Sequence, residues 1–268
     1  MRRTSAAAWA PRRPSRIASN TARSRGKARS AAGQASRQTP VRLVERRGCR
    51  RQPRFHVCRR RGRARTCSAR RRLRQLGRLR VRRVDAADLT ALAAFFEAVR
   101  REAGRVDVLA VNAGISEFAT LDGVSEDHFD RSFDLNVRAL LFAAAAATAI
   151  MPDGGAIVLV GSIAAAIGTE GYGVYGATKA AMRSLARTWA NELAPRAIRV
   201  NVVAPGPTDT AMMAATSDAV RVTLTKLIPL GRMARADEVA AAALFLAGDQ
   251  SSFITGAELP VDGGMAQV

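Results

Sequence analysis

The sequence predicts an α/β fold, a doubly wound parallel sheet whose first strand–helix units are absent or malformed. Three observations predict it. From about Val81 to the C-terminus, short apolar runs alternate with amphipathic stretches of helical spacing. Each apolar run opens into small and polar residues, as buried parallel strands do where they enter loops. Before Val81 that pattern is missing and arginine dominates.

Charge divides the chain at the same place. The 268 residues carry a net +21, but residues 1–83 hold 29 of the 43 Arg and Lys and one acid, Glu45, a net of +28. The other 14 bases and 21 acids lie in residues 84–268, a net of −7. We therefore divide the chain into an Arg-rich segment, 1–80, expected to lack order, and an α/β domain, 81–268.

The elements follow in order. "VRRVDAADL" reads as a strand ending near Asp85, with Asp88 capping the next helix, and "LTALAAFFEAVRREAG" is amphipathic and stops at Gly104. "VDVLAVNAG" is a buried strand opening into Asn112–Gly114. A helix is expected from about Ser125 through Leu140–Ile150, then the strand "AIVLVGS" and a helix over Tyr175–Leu193. "IRVNVVAPG", a helix over Asp237–Leu246 and the strand "AELPVDGG" complete the domain. Right-handed crossovers put the carboxyl ends of such strands along one edge. Asp85, Asn112–Gly114, Ser162 and Pro205–Gly206 all fall at such ends.

Several function classes drop out. The apolar run Ala139–Met151 is too short to span a bilayer of ~30 Å, so no membrane association is expected. No apolar stretch follows Arg2 and Arg3, so no secretory signal is expected and a cytoplasmic protein is the default. Cys49, Cys58 and Cys67, with His56, lack paired metal-ligand spacing and read as incidental. His128 reads as a solvated helix residue.

"YGVYGATKAAM" carries the chemistry. Tyr175 and Lys179 are four apart on a helix and share a face. A phenol titrates near ~10, and bringing it toward neutrality takes about three units, or ~4 kcal/mol. One ammonium ~4 Å away supplies about that at an effective dielectric near 20. The lysine is thus expected to lower the phenol's pKa and make it a proton donor and acceptor. Ser162, ending the preceding strand, would hold a substrate oxygen beside it. Tyr172 has no lysine one turn on and reads as packing or substrate-facing.

These residues resemble the short-chain dehydrogenase/reductase family, from about Val81 to Val268. "YGATK" resembles its Tyr-x-x-x-Lys, with Ser162 thirteen residues ahead, and Asn136 in "FDLNVRA" resembles its relay asparagine. "VNAG", Asp85, "APGPTDT" and "FITGAELPVDGG" resemble its further motifs, in the same order. The resemblance implies a Rossmann-like fold and NAD(P)-dependent interconversion of an alcohol and a ketone. It implies Asn136, Ser162, Tyr175 and Lys179 as the catalytic set. NAD or NADP would be bound by Asp85, Asn112, Ala113, Gly114, Tyr175, Lys179, Pro205, Gly206, Thr208 and Thr210. A homo-oligomer, dimer or tetramer, is implied as well.

The family's Gly-x-x-x-Gly-x-Gly turn should precede "VNAG", and it is absent: Gly26, Gly33, Gly48, Gly62 and Gly77 do not form it. Three explanations for residues 1–80 stand open: a transit peptide, a basic nucleic-acid arm, and translation out of frame. The arm has little aromatic interleaving and no reader fold, so nucleic acid is not the expected partner. Out-of-frame translation is favoured, because arginine codons read one base later encode Ala, Gly, Val, Asp and Glu. A non-catalytic remnant unable to hold cofactor is the corresponding alternative function.

Overall fold

Seven residues of the strand "RLRVRRV" are enough to show why the chain departs from a uniform parallel sheet. The computed structural model describes residues 41–47, 54–59 and 78–266, with residues before 81 at the level of the backbone. Here β1 (Val41–Arg47) pairs antiparallel with both β2 (Arg54–Arg59) and β3 (Arg78–Val84), in the order β2-β1-β3. The segment expected as a strand of the parallel sheet therefore belongs to an antiparallel one. Four of its seven residues are arginine. A parallel strand is covered on both faces, whereas an antiparallel strand tolerates one solvated face. β1 and β2 themselves were not expected; the rest of the expectation for residues 1–80 lies outside the described residues.

After β3 the expected alternation sets in. α1 (Leu89–Ala103) starts where the Asp88 carboxylate accepts from the Thr90 and Ala91 N–H groups. It ends at Gly104, whose φ of +78° suits glycine and whose N–H donates to the Arg100 carbonyl. Its apolar face, Leu92, Phe95, Phe96 and Val99, is buried at helical spacing. β4 (Val108–Val111) follows. α2 (Glu126–Phe133) is capped by Ser125 and runs through a π-helical turn, Asp134–Arg138, into α3 (Ala139–Thr148). Then come β5 (Ala156–Val160), α4 (Gly173–Glu192), β6 (Arg199–Pro205), the short β7 (Thr208–Asp209), α5 (Asp218–Lys226), β8 (Ala234–Arg235), α6 (Ala236–Ala247) and β9 (Glu258–Val261). The parallel sheet has the order β4-β5-β6-β9, and β7 pairs with β8 beside it.

Alternation along β5 divides the core. Ile157 and Leu159 join Leu109, Leu140, Met182, Ala186, Val200 and Val202 on the face covered by α1, α3 and α4. Val158 joins Val203 and Leu246 of α6 on the other. The sheet is doubly wound. Met182 and Ala186, both 0% exposed, let α4 lie close on the strands. Truncating a residue as buried as Leu159 to alanine costs about 2–5 kcal/mol.

Candidate active site

Because β4, β5, β6 and β9 are parallel throughout, their carboxyl ends share one edge. The loop Asn112–Gly114 leaves β4 there, Ser162 follows β5, and Gly206 follows β6. Asp85 comes from outside this sheet. Its loop is brought in by packing, since Ala86 is buried with Ala113 and Ala139. The Asp85 carboxylate accepts from the Ala87 N–H at 3.1 Å.

Asn136 is 0% exposed and lies in the π-helical turn, a distortion often found at functional sites because it redirects one side chain. Its Nδ2 donates to the Ile115 carbonyl (2.9 Å) and to Thr178 Oγ1 (3.0 Å), and its Oδ1 accepts from the Ile115 N–H (2.8 Å). One amide thus fixes the loop after β4 against α4. A Cβ at Gly114 would stand 3.1 Å from Asn136 Oδ1 and 3.6 Å from Lys179 Nζ, so only glycine fits without displacement. Thr178 Oγ1 donates on to the Tyr175 carbonyl at 2.7 Å. Thr178 was missed in the sequence, although it lies inside "YGATK".

Lys179 is 5% exposed. Its Nζ donates to the Val160 carbonyl at 2.8 Å and stands 5.7 Å from the centre of the Tyr175 ring. Burial pulls the ammonium's pKa down to about 8. Tyr175 moves up from its ordinary value, chiefly because burial disfavours the phenolate; a hydrogen bond from Ser162 works the other way. The expected lowering of the phenol's pKa by Lys179 is therefore corrected. Both groups are buried, and desolvation is the largest cause of each shift. Ser162 also accepts from the Ala164 N–H at 3.2 Å, capping a short 3₁₀ turn.

Gly206 packs so closely on Asp262 that a Cβ would lie 2.8 Å from that residue's Cβ. Asp262, not singled out in the sequence, is buried and accepts from the Gly264 and Ala266 N–H groups, holding the turn after β9 against this loop. Thr208 donates to the Gly206 carbonyl at 2.9 Å, while Thr210 is exposed. Tyr172 packs edge-on to Tyr175, with ring centres 6.4 Å apart. His128 is 7% exposed, not solvated: it lies on the inward face of α2.

The nicotinamide-ribose end of a dinucleotide fits this corner, with the Tyr175 and Lys179 side chains and the glycine loop together. The pyrophosphate end does not. Among the described residues no glycine-rich turn opens a helix before α1, and the N-terminus of α1 is already occupied by the Asp88 carboxylate, which repels phosphate.

A parallel doubly wound sheet with Ser, Tyr and Lys converging at one edge defines a class of oxidoreductases, and comparison with known proteins agrees. A family model described as Enoyl-(Acyl carrier protein) reductase matches residues 55–266. The 3-oxoacyl-[acyl-carrier-protein] reductase of Thermotoga maritima is 39% identical over 171 residues, 63% of this chain and 70% of that protein. The 3alpha-hydroxysteroid dehydrogenase of Mediterraneibacter gnavus is 40% identical, over 67% of this chain and 71% of that one. Among solved structures, a short-chain dehydrogenase/reductase from Serratia marcescens superimposes with a TM-score of 0.66 at 35% identity, covering 68% of this chain and 75% of that one. A blue fluorescent protein from a metagenomic library, in complex with NADPH, gives 0.66 at 38% identity, over 68% and 74%. The chain belongs to the short-chain dehydrogenase/reductase family of oxidoreductases.

Proposed function

We propose that residues 81–268 form the catalytic part of an NAD(P)-dependent oxidoreductase that interconverts an alcohol and a ketone. One observation carries it: a buried Lys179, tied to the Val160 carbonyl, stands beneath the ring of Tyr175, whose phenol meets Ser162. A bound nicotinamide supplies hydride transfer. The chain's own residues handle the proton. Ser162 and Tyr175 hydrogen-bond the substrate oxygen, and Tyr175 gives that oxygen its proton as the ketone becomes an alcohol, or takes it back in the reverse direction. Burial keeps the phenol protonated, the form that can donate to the ketone oxygen. Lys179 would exchange a proton with solvent through a water held at Asn136. Pro205, Gly206, Thr208 and Thr210 would line the nicotinamide end, Asn112, Ala113 and Gly114 would lie under the adenine-ribose, and Asp85 near the adenine.

The relatives act on substrates as different as acyl-carrier thioesters and steroids by name, so the proposal stays at a ketone or alcohol. Among the described residues no helix is long and apolar enough to cross a membrane. We expect a cytoplasmic homo-oligomer, with exposed Phe142 on α3 and Leu244 and Phe245 on α6 covered by further copies.

A second reading, a catalytic corner that binds no dinucleotide, is favoured by the missing glycine turn. The test is titration of the 268-residue chain with NADH and NADPH, following nicotinamide fluorescence. Saturable binding at micromolar concentration, with turnover lost in Tyr175→Phe, supports the enzyme. Flat titrations support the second reading.

A further inference from the structure

We propose that Phe118 and Tyr172 form an aromatic wall beside Tyr175 that selects substrates carrying a flat, uncharged ring next to the reacting carbon. The proposal rests on Tyr175 being the acid/base of an alcohol–ketone oxidoreductase, and it names the substrate class of that site. Three rings form a chain outward from the phenol. Tyr175 and Tyr172 are edge-on with centres 6.4 Å apart, and Tyr172 and Phe118 are edge-on with centres 5.8 Å apart. The outermost ring, Phe118, is 62% exposed. A large apolar ring in water needs a reason to be held there, and the backbone holds it twice. The Ala119 N–H donates to the Gly171 carbonyl at 2.8 Å, joining the loop after β4 to the loop before α4. Gly171 has φ +74°, and a Cβ there would lie 2.0 Å from the Phe118 ring, so the ring occupies the space that any other residue's side chain would need.

The charges around the wall argue against an anionic ligand. Glu117, next to Phe118, is paired with Arg131 at 3.2 Å. Glu170, next to Gly171, presents an exposed carboxylate that disfavours carboxylate or phosphate groups. What is left for recognition is the ring faces and edges, which prefer another flat ring in offset or edge-on contact.

The test uses the full 268-residue chain and two ketones of equal reactivity class, acetophenone and butan-2-one, with binding read by saturation-transfer NMR and turnover with NADPH read separately. Acetophenone should bind more tightly, with saturation reaching its ring protons. Phe118→Ala should weaken acetophenone by roughly three- to tenfold, the worth of one aromatic contact, and leave butan-2-one nearly unchanged. Gly171→Ala, which displaces the ring from the backbone side, should do the same, and Phe118→Tyr should restore the preference. Tyr175→Phe should keep ring binding while removing turnover. Equal binding of the two ketones, or equal loss of both in Phe118→Ala, overturns the wall. Ring-selective binding without turnover in the unaltered chain leaves the wall standing and sinks the oxidoreductase reading instead.

Discussion

Two neighbouring regions on the same side of the sheet differ sharply. The corner around Asn136, Thr178 and Lys179 is filled and hydrogen-bonded, each polar group there having a named partner. A few residues away, between α1, α3 and β4, lies a partly open apolar cavity of about 30 Å³ lined by Val84, Leu92, Phe96, Leu109, Val111 and Leu140 among others. Protein interiors are normally packed to crystal density. The polar corner is built from β4, β5 and α4, and it closes on itself. The hollow flank borders β3, the arginine-rich strand that lies outside the parallel sheet. The geometry of the corner is local, whereas the packing that should back it depends on what precedes β4.

The largest expected effect probes the filled corner. In a form that turns over, Tyr175→Phe should lower the rate by roughly 10²–10⁴-fold, the usual worth of a general acid, with nucleotide affinity nearly unchanged. Retention of more than about a tenth of the rate would remove Tyr175 from that role. Lys179→Ala should damage both rate and nucleotide binding.

Next comes Asn136→Ala. It strands the part-buried Ile115 N–H and carbonyl and removes the buried bond to Thr178, so unfolding by urea should show a loss of about 1–3 kcal/mol. A loss below about 0.5 kcal/mol would mean that the corner is not the rigid unit described.

The lysine's burial predicts a pH dependence. Its pKa is about 8 when folded and near 10.5 when unfolded. Below about pH 8 the folded state carries the full penalty of a buried ammonium. Between about 8 and 10 the unfolded chain keeps the proton that the folded chain has released, so stability rises with pH. Above that, Tyr175, raised by burial, begins to reverse the trend: its stabilisation holds below the ordinary phenol pKa and fades as the folded phenol ionises. Urea titrations at about pH 7 and about pH 9.5 should differ by about 2 kcal/mol from this group, and Lys179→Met should flatten the difference.

The smallest effect reads the hollow flank by its sign. Ala143, on the cavity wall, should accept leucine with a gain of about 1 kcal/mol if the space is open. A loss of about 1–3 kcal/mol would show that the flank is already packed.

Much of this was legible in the sequence. Helical spacing located Leu92, Phe95, Phe96 and Val99, and Asp88 and Gly104 marked both ends of their helix, because capping is a local interaction. The apolar runs located β4, β5, β6 and β9 for the same reason. Tyr175 and Lys179 could be singled out because a phenol and an ammonium one helical turn apart suit proton transfer, Ser162 because it follows a strand, and Asn136 through the family resemblance alone. Three things were not. The π-helical turn that aims Asn136 depends on its fit against Ile115 and Thr178, 21 and 42 residues away in the chain. The antiparallel partners of β3 depend on which strand offers it an edge. The direction of the Tyr175 shift depends on how deeply both the phenol and the ammonium are buried. Sequence spacing determined who could meet at the sheet edge, since strand and helix periods are local. Burial and long-range contact, which only the assembled fold creates, decided how those groups are charged, held and backed.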